Sequence, residues 1–336
     1  MKEVKIGDYS TLHNKHPVFF AEIGINHNGI MSEALKLIDK IKLAAINVNW
    51  PLKSLIVKLQ KRTVDVVYTP EELERSRDVP KHILENAINR GVLLPEAITR
   101  LKKSEYKDSK NRDLKHALEF TLQECLEIYQ HCTRLGIKCC WSCWDEGSVD
   151  LIDQLNPPCY KIASASLTDR ELLKHTRNKG RTIILSTGAS DLGMIIDAVD
   201  ILGSHDLIIM HCTSVYPTTT TEEGDHGLSM INLQCMETIQ NTFPDVPIGF
   251  SSHDTGIQPT YAAAVLGARV LEKHITSWRG MWGSDQAASI EPSDLEKLLR
   301  MIREFQTIRG DGVKRIYPEE VEIMKKLRRK NTLSQT

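Results

Sequence analysis

The stretch IGFSSHDTGIQPTYAAAVLGARVLEKHIT, residues 248–276, decides the fold. It begins with a short β-rich run, continues as an apolar segment of helical length and ends in a second β-rich run. Each run stops at a histidine, His253 and His274. Strand, helix and strand in succession make the unit that builds parallel sheet. Working outward, similar runs recur at 18–24 (VFFAEIG), 55–60 (LIVKLQ), 137–144 (IKCCWSCW), 159–164 (CYKIAS), 182–187 (TIILST) and 206–212 (DLIIMHC). With 247–251 and 269–274 they number eight. Helical periodicity separates them at 31–45, with Leu35, Ile38 and Ile41 on one face, and at 121–135, 169–178, 190–202, 229–241, 257–267 and 292–308. Ser190 and Asp191 are candidate caps for the fourth of these.

Eight strands alternating with helices predict the α/β class and a (β/α)8 TIM barrel over residues 18–315. Residues 1–17 are expected to form a short N-terminal hairpin plugging the barrel floor. Residues 68–116 form a long insertion after the second strand, and 316–336 a C-terminal helix and tail. The rival, an open doubly wound sheet, would carry a G-x-G-x-x-G fingerprint that this sequence lacks.

Composition narrows the function. Hydrophobic residues make up 41% and charged residues 26%, as in soluble globular proteins, and a net charge of −1 offers no global field for nucleic acid or an anionic membrane. No apolar run approaches the ~20 residues of a membrane span, and the N-terminus lacks a signal-peptide core, so a cytoplasmic location is expected. Cys139, Cys140 and Cys143 look like a metal or redox C-x2-C, but no second pair follows; buried reduced thiols in a strand are the expectation.

Parity along the strands separates two faces. Ala21 and Ile23 alternate with Glu22 and Gly24, Val57 and Leu59 with Lys58 and Gln60, Ile248 and Phe250 with Gly249 and Ser251, and Leu271 with Glu272 and His274. The apolar members should meet the helices and the charged ones the barrel interior. Lys273 breaks the pattern, and at a strand tip it is expected to reach water.

Active sites of such barrels lie at the C-terminal ends of the strands. There His253 and His274 would be neighbours, able to hold a divalent Mn2+ or Mg2+, or each to bond a loop carbonyl. Glu22 and Asp285 would stand beside them. Lys58 and Lys161 would need partners inside a low-dielectric mouth, and an anionic ligand would supply them. Hydroxyls at the strand ends, Ser142, Ser164, Ser186, Thr187 and Ser251, could share a phosphate, although Ser186 reads equally as a helix cap.

Eight ordered blocks add a resemblance. FFAEIGINHNG, VKLQKRTVD, YKIASASLTD, IILSTGAS, MHCTSVYP, GFSSHDTGI, GARVLEKHIT and GSDQAASIEP resemble the sialic acid synthases (N-acetylneuraminate synthases) over 18–62 and 117–315. That family condenses phosphoenolpyruvate with N-acetylmannosamine on a (β/α)8 barrel. The resemblance implies that His253 and His274 bind the metal. It implies that Lys58, Lys161, Ser142, Ser164, Ser186, Ser251, Ser214 and Tyr216 contact phosphoenolpyruvate, that Gln60 and Asp285 face the sugar, and that Glu22 handles a proton. Glu22, Lys58, Lys161 and Asp285 are thus the candidate catalytic residues.

Three departures stand out. Ser166 occupies a position where the family carries Glu or Asp, and Gln286 stands in place of a common His. The third is length: the resemblance leads one to expect a form lacking the family's C-terminal antifreeze-like domain, which leaves the sugar and a homodimeric state open. The alternatives are a synthase of a related nonulosonic acid (legionaminate, pseudaminate or KDN type), a Schiff-base aldolase using Lys161 or Lys58, and a non-catalytic sugar- or phosphate-binding barrel.

Overall fold

The computed structural model describes residues 2–215 and 226–329. Tyr216 and most of the threonine-rich loop after it lie outside the described residues. A hairpin of β1 (Lys5–Ile6) and β2 (Tyr9–Ser10) precedes eight parallel strands: β3 (Val18–Gly24), β4 (Leu55–Lys61), β5 (Lys138–Cys143), β6 (Tyr160–Ile162), β7 (Ile183–Ser186), β8 (Leu207–Cys212), β9 (Ile248–Ser252) and β10 (Val270–His274). They close in sequence order, with β10 pairing β3. Among the described residues the barrel therefore has no edge strand to template association.

Parity sorts the core as expected. Ala21, Ile23, Val57, Leu59, Ile248, Phe250 and Leu271 pack in one cluster with the surrounding helices. Phe20, Ile56, Cys140, Ile184, Ile208, Met210 and Val270 form a separate core inside the barrel, closed from below by Val4, Ile6 and Tyr9 of the hairpin. The next inward level changes character. Glu22, Lys58, Ser142, Lys161, Ser186, Ser251 and Glu272 are all buried there. A buried charge must be paired or hydrogen-bonded, so the charged side chains gather in one layer where they can satisfy one another.

Lys273 overturns its expectation. Its side chain is 0% exposed and does not reach water. The ammonium donates to Asp254 Oδ1 at 2.6 Å and to the Asp254 carbonyl at 2.5 Å. Parity carries the residue under the helical layer, and Asp254 satisfies it there.

A helix over Glu146–Asp153 falls where periodicity showed none. It is short, its apolar signal is confined to a few positions, and Gly147 sits in its first turn. Asp145 makes it, accepting the Ser148 N–H at 2.8 Å. The segment 229–241 is shorter than expected: a single turn over His226–Ser229 precedes a helix over Cys235–Thr242. Asp191, not Ser190 or Ser186, caps the helix over Leu192–Leu202, accepting from Met194 N at 2.9 Å.

The insertion folds as four short helices, Pro70–Glu74, Lys81–Asn89, Pro95–Lys103 and Asn111–Leu118. They share a satellite core of Val79, Ile83, Leu84, Leu101 and Leu114, against which Ile25 and Trp282 pack. Asn86 Nδ2 donates to the Gly29 carbonyl at 2.8 Å, so the insertion is fastened to the loop leaving β3. All eight cysteines are unbridged, with Cys139, Cys140 and Cys143 buried. Among the described residues no helix is long and apolar enough to cross a membrane.

Candidate active site

Strand register assembles the site. Glu22 stands opposite both Lys58 on β4 and His274 on β10, Ser142 opposite Lys161, and Glu272 opposite Ser251. Lys58 Nζ pairs with Glu22 Oε2, donates to Ser142 Oγ at 2.8 Å and lies 3.8 Å from Glu272 Oε2. Lys161 Nζ donates to both Glu272 oxygens, at 2.8 and 3.0 Å. Ser251 Oγ donates to Glu272 Oε1 at 3.2 Å.

The expectation that the lysines need an external anion is therefore corrected. Glu22 and Glu272 are their partners, and the two ammoniums and two carboxylates form a self-neutralising quartet. Glu272 is the functional residue that sequence reading missed. Its inward parity beside Glu22 and Lys58 was the available signal, but only the register shows that it bonds Lys161.

The two carboxylates differ in acidity. Burial raises Glu22, Lys58 opposes this, and the Glu272 charge raises it again, leaving it at about 7. Burial also presses Glu272 upward, but Lys161 and Lys58 outweigh it and hold Glu272 at about 2. Gln60 Nε2 donates to Glu22 Oε1 at 3.4 Å. Gly24, at φ +54°, lets the chain turn here. A Cβ at this position would lie 2.9 Å from Glu22 Oε1 and 3.4 Å from His274 Cε1.

The imidazoles of His253 and His274 are neighbours, with ring centroids 5.4 Å apart and planes inclined at 46°. His253 Nδ1 donates to the Thr213 carbonyl at 3.0 Å, so the neutral ring would carry its lone pair on Nε2. Burial opposes the charged ring, but Cys212 outweighs it and raises the His253 pKa. The loop-carbonyl reading and the metal reading thus concern different nitrogens of one ring. Burial lowers His274 to about 3, and the positive charge of Lys58 adds to this against Asp285, so the ring is neutral. Asp285 Oδ2 lies 4.0 Å from His274 Nδ1.

Other hydroxyls lie near the ends of β6, β7 and β8. Ser164 Oγ accepts the Gly188 N–H at 3.0 Å. A Cβ on Gly188 would come within 2.1 Å of Ser214 Oγ, and that oxygen is buried with no hydrogen-bond partner among the described residues. Ser186 is buried beside them, whereas Thr187 donates to the Met210 carbonyl at 3.0 Å and is spent on the backbone.

Residues 89–314 match the family model described as NeuB family. The chain belongs to the NeuB family.

Other similarities agree with this membership. An uncharacterized protein of Methanocaldococcus jannaschii is 30% identical over 332 residues, covering 98% of this chain and 82% of that protein. Human N-acetylneuraminate-9-phosphate synthase is 29% identical over 316 residues, covering 93% and 77%. The N,N'-diacetyllegionaminic acid synthase of Campylobacter jejuni is 29% identical over 317 residues, covering 91% and 81%. A crystal structure of N-acetylneuraminic acid synthetase from Leptospira borgpetersenii, in complex with citrate, superposes with a TM-score of 0.71 at 25% identity and covers 98% of each chain. This NeuB-family protein is a synthase of the sialic and related nonulosonic acid class.

Its two internal departures have distinct structural settings. Gln286 does not face the mouth as an open donor: its Nε2 donates to the Asn26 carbonyl at 3.1 Å and its Oε1 accepts from Thr276 Oγ1. The side chain therefore ties the Asp285 loop to the loop after β3. Ser166 is buried in the short turn Ser164–Ser166.

Proposed function

We propose that this NeuB-family synthase condenses phosphoenolpyruvate with the open-chain aldehyde of N-acetylmannosamine, giving N-acetylneuraminate and inorganic phosphate. The observation that carries the reading is a buried lysine–glutamate quartet directly below two adjacent imidazoles. Such a rim offers an anion pocket and a cation pocket to two substrates at once.

The donor set fits a divalent cation that accepts imidazole nitrogen together with oxygen ligands. Two imidazoles with centroids 5.4 Å apart can share one ion at metal–nitrogen distances of about 2.1 Å. Among the described residues no group of three or more His, Cys, Asp or Glu side chains could hold a metal, so substrate oxygens and water would complete the shell. His253 and His274 would hold Mn2+ or Mg2+, which when bound supplies Lewis-acid polarisation of the aldehyde oxygen.

The chain's own residues account for the rest. C3 of phosphoenolpyruvate attacks the aldehyde carbon, leaving positive charge at C2; water adds at C2, and the resulting centre expels phosphate by C–O cleavage. Lys58 and Lys161 stabilise the phosphate charge, with Ser164, Ser186 and Ser214 as hydroxyl partners and Ser142 and Ser251 steadying the quartet. Glu22, held at about 7, has the acidity of a base working near neutral pH and would take a proton from the attacking water. Gln60 and Asp285 would orient the sugar, whose binding beside the second substrate gives the advantage of proximity.

A second reading changes only the acceptor. The human 9-phosphate synthase and the Campylobacter legionaminic acid synthase are equally similar, at 29% identity each, and Ser166 alters one wall of the mouth. Phosphate release from phosphoenolpyruvate, measured with and without EDTA across a sugar panel, tests both. N-acetylmannosamine alone should support metal-dependent release. Release only with its 6-phosphate or with a 2,4-diacetamido sugar selects the second reading, and release with none sinks both.

A further inference from the structure

Lys273 and Asp254 form an ion pair that the reaction does not touch. Lys273 points away from the lumen, yet its ammonium is completely enclosed, with side-chain exposures of 0% and 3% for the two partners. All three of its protons are used on β9 and its continuation: Asp254 Oδ1 at 2.6 Å, the Asp254 carbonyl at 2.5 Å and Ser252 Oγ at 3.3 Å. The other carboxylate oxygen, Oδ2, accepts the Gly256 N–H at 2.9 Å. Every polar atom of the pair is thus committed to one backbone geometry.

Two arguments make this more than packing. The first is energetic. The outward register partner of Lys273 on β3 is Ala21, and other outward positions, Ile23, Val57, Phe250 and, on its own strand, Leu271, are apolar. Replacing a buried ion pair with apolar side chains is often neutral or stabilising. Stability alone is a poor reason for charge at this spot. The second is location. Lys273 immediately precedes His274, and Asp254 immediately follows His253. The β9–β10 ladder ends at the Lys273–Ser252 step, so His253 sits one residue past it while His274 still pairs with Glu22 on β3. The ammonium bridges that step, joining the backbone beyond one histidine to the strand residue before the other.

We propose that the Lys273–Asp254 pair is a positioning clamp that sets the separation of the His253 and His274 imidazoles and so the affinity of the cation they hold. The inference rests on the metal reading given under Proposed function. Lys273 acts through its neighbours and contacts no reacting atom.

The test is Mn2+ binding by the intact protein, read from the loss of the free-ion paramagnetic resonance signal, alongside thermal melting and kcat at saturating Mn2+. The variant Lys273→Met/Asp254→Asn removes both charges and strands neither. It should bind Mn2+ about 10- to 100-fold more weakly, the range found when outer-shell partners of metal ligands are lost, with kcat largely recovered at saturating metal. Lys273→Arg keeps the charge but not the shape, should lose several-fold, and carries the test if the double variant does not fold. Arg90→Met/Glu124→Gln, removing an ion pair between the insertion and the helix over Leu122–Leu135, should leave Mn2+ affinity unchanged.

Affinity within twofold of wild type in the double variant overturns the clamp and leaves the metal reading standing. An equal loss in the Arg90/Glu124 control assigns the effect to general loosening and also overturns it. Wild-type protein that binds no Mn2+, or binding indifferent to His253→Ala, overturns the metal reading and the clamp together.

Discussion

Glu22 and Glu272 share two lysines but not the same acidity, and the difference is a matter of neighbours. Lys161 donates to both oxygens of Glu272, whereas Glu22 faces Lys58 and a second negative charge. Glu272→Gln removes that charge and should lower the Glu22 pKa, moving the acid limb of the kcat/KM profile below its wild-type position near pH 7. Glu22→Gln should leave phosphoenolpyruvate binding within a few-fold of wild type and abolish turnover; a fully active variant removes Glu22 from the mechanism. His27 gives a separate pH dependence, in stability. It is buried, stacked on Phe120 at 4.2 Å, and its Nδ1 accepts the Gly29 N–H at 2.9 Å. Burial, aided by Arg90, lowers it from 6.5 to about 3. Between those values the unfolded chain binds a proton that the native state refuses, so stability falls as pH drops through the window, by at most about 1.4 kcal/mol per unit. Urea midpoints at pH 7 and pH 4.5 should differ less in His27→Gln than in wild type. The charged inward positions were legible because parity exposes them; the Lys273–Asp254 pair was not, because a sequence does not say which buried charge meets which.

Elements were readable in proportion to their length and periodicity. All eight barrel strands fall within a residue or two of their expected bounds, because each is a short β-rich run, alternating as in VFFAEIG or continuously apolar as in LIIMHC, set apart from the helical periodicity around it. The helix over Glu146–Asp153 escaped because its cap, Asp145, also binds Thr63 N at 2.7 Å on another strand's loop, a contact no local pattern encodes. The insertion was visible as length and charge, but its role as a wall against Ile25 and Trp282 is tertiary. Gly29 joins the two. It has φ +72°, and a Cβ there would fall 1.9 Å from the Ala117 carbonyl oxygen. Gly29→Ala should cost more than about 1–2 kcal/mol and speed tryptic cleavage within 68–116 relative to the barrel. Unchanged cleavage would show that the insertion is held without that close approach.

At the scale of the whole molecule, the barrel is layered along its axis. The hairpin and the inner apolar core fill its lower part, and the charged quartet and the imidazoles occupy the top. The layers should respond independently. Ile6→Ala opens a cavity in the floor at a cost of about 2–5 kcal/mol, lowering the melting temperature while Mn2+ affinity stays at the wild-type value. A parallel loss of Mn2+ affinity would mean that the floor and the rim are mechanically one unit.

The self-neutralising quartet also bears on the order of events. A lumen whose four charges cancel once Glu22 is ionised has no standing attraction for a multiply anionic guest, and it must surrender an internal ion pair to admit one. A divalent ion seated on the two imidazoles first would tip that balance, making the rim electropositive before the enol phosphate arrives. The protein would then admit its reactants by electrostatic sequence, with no moving gate required.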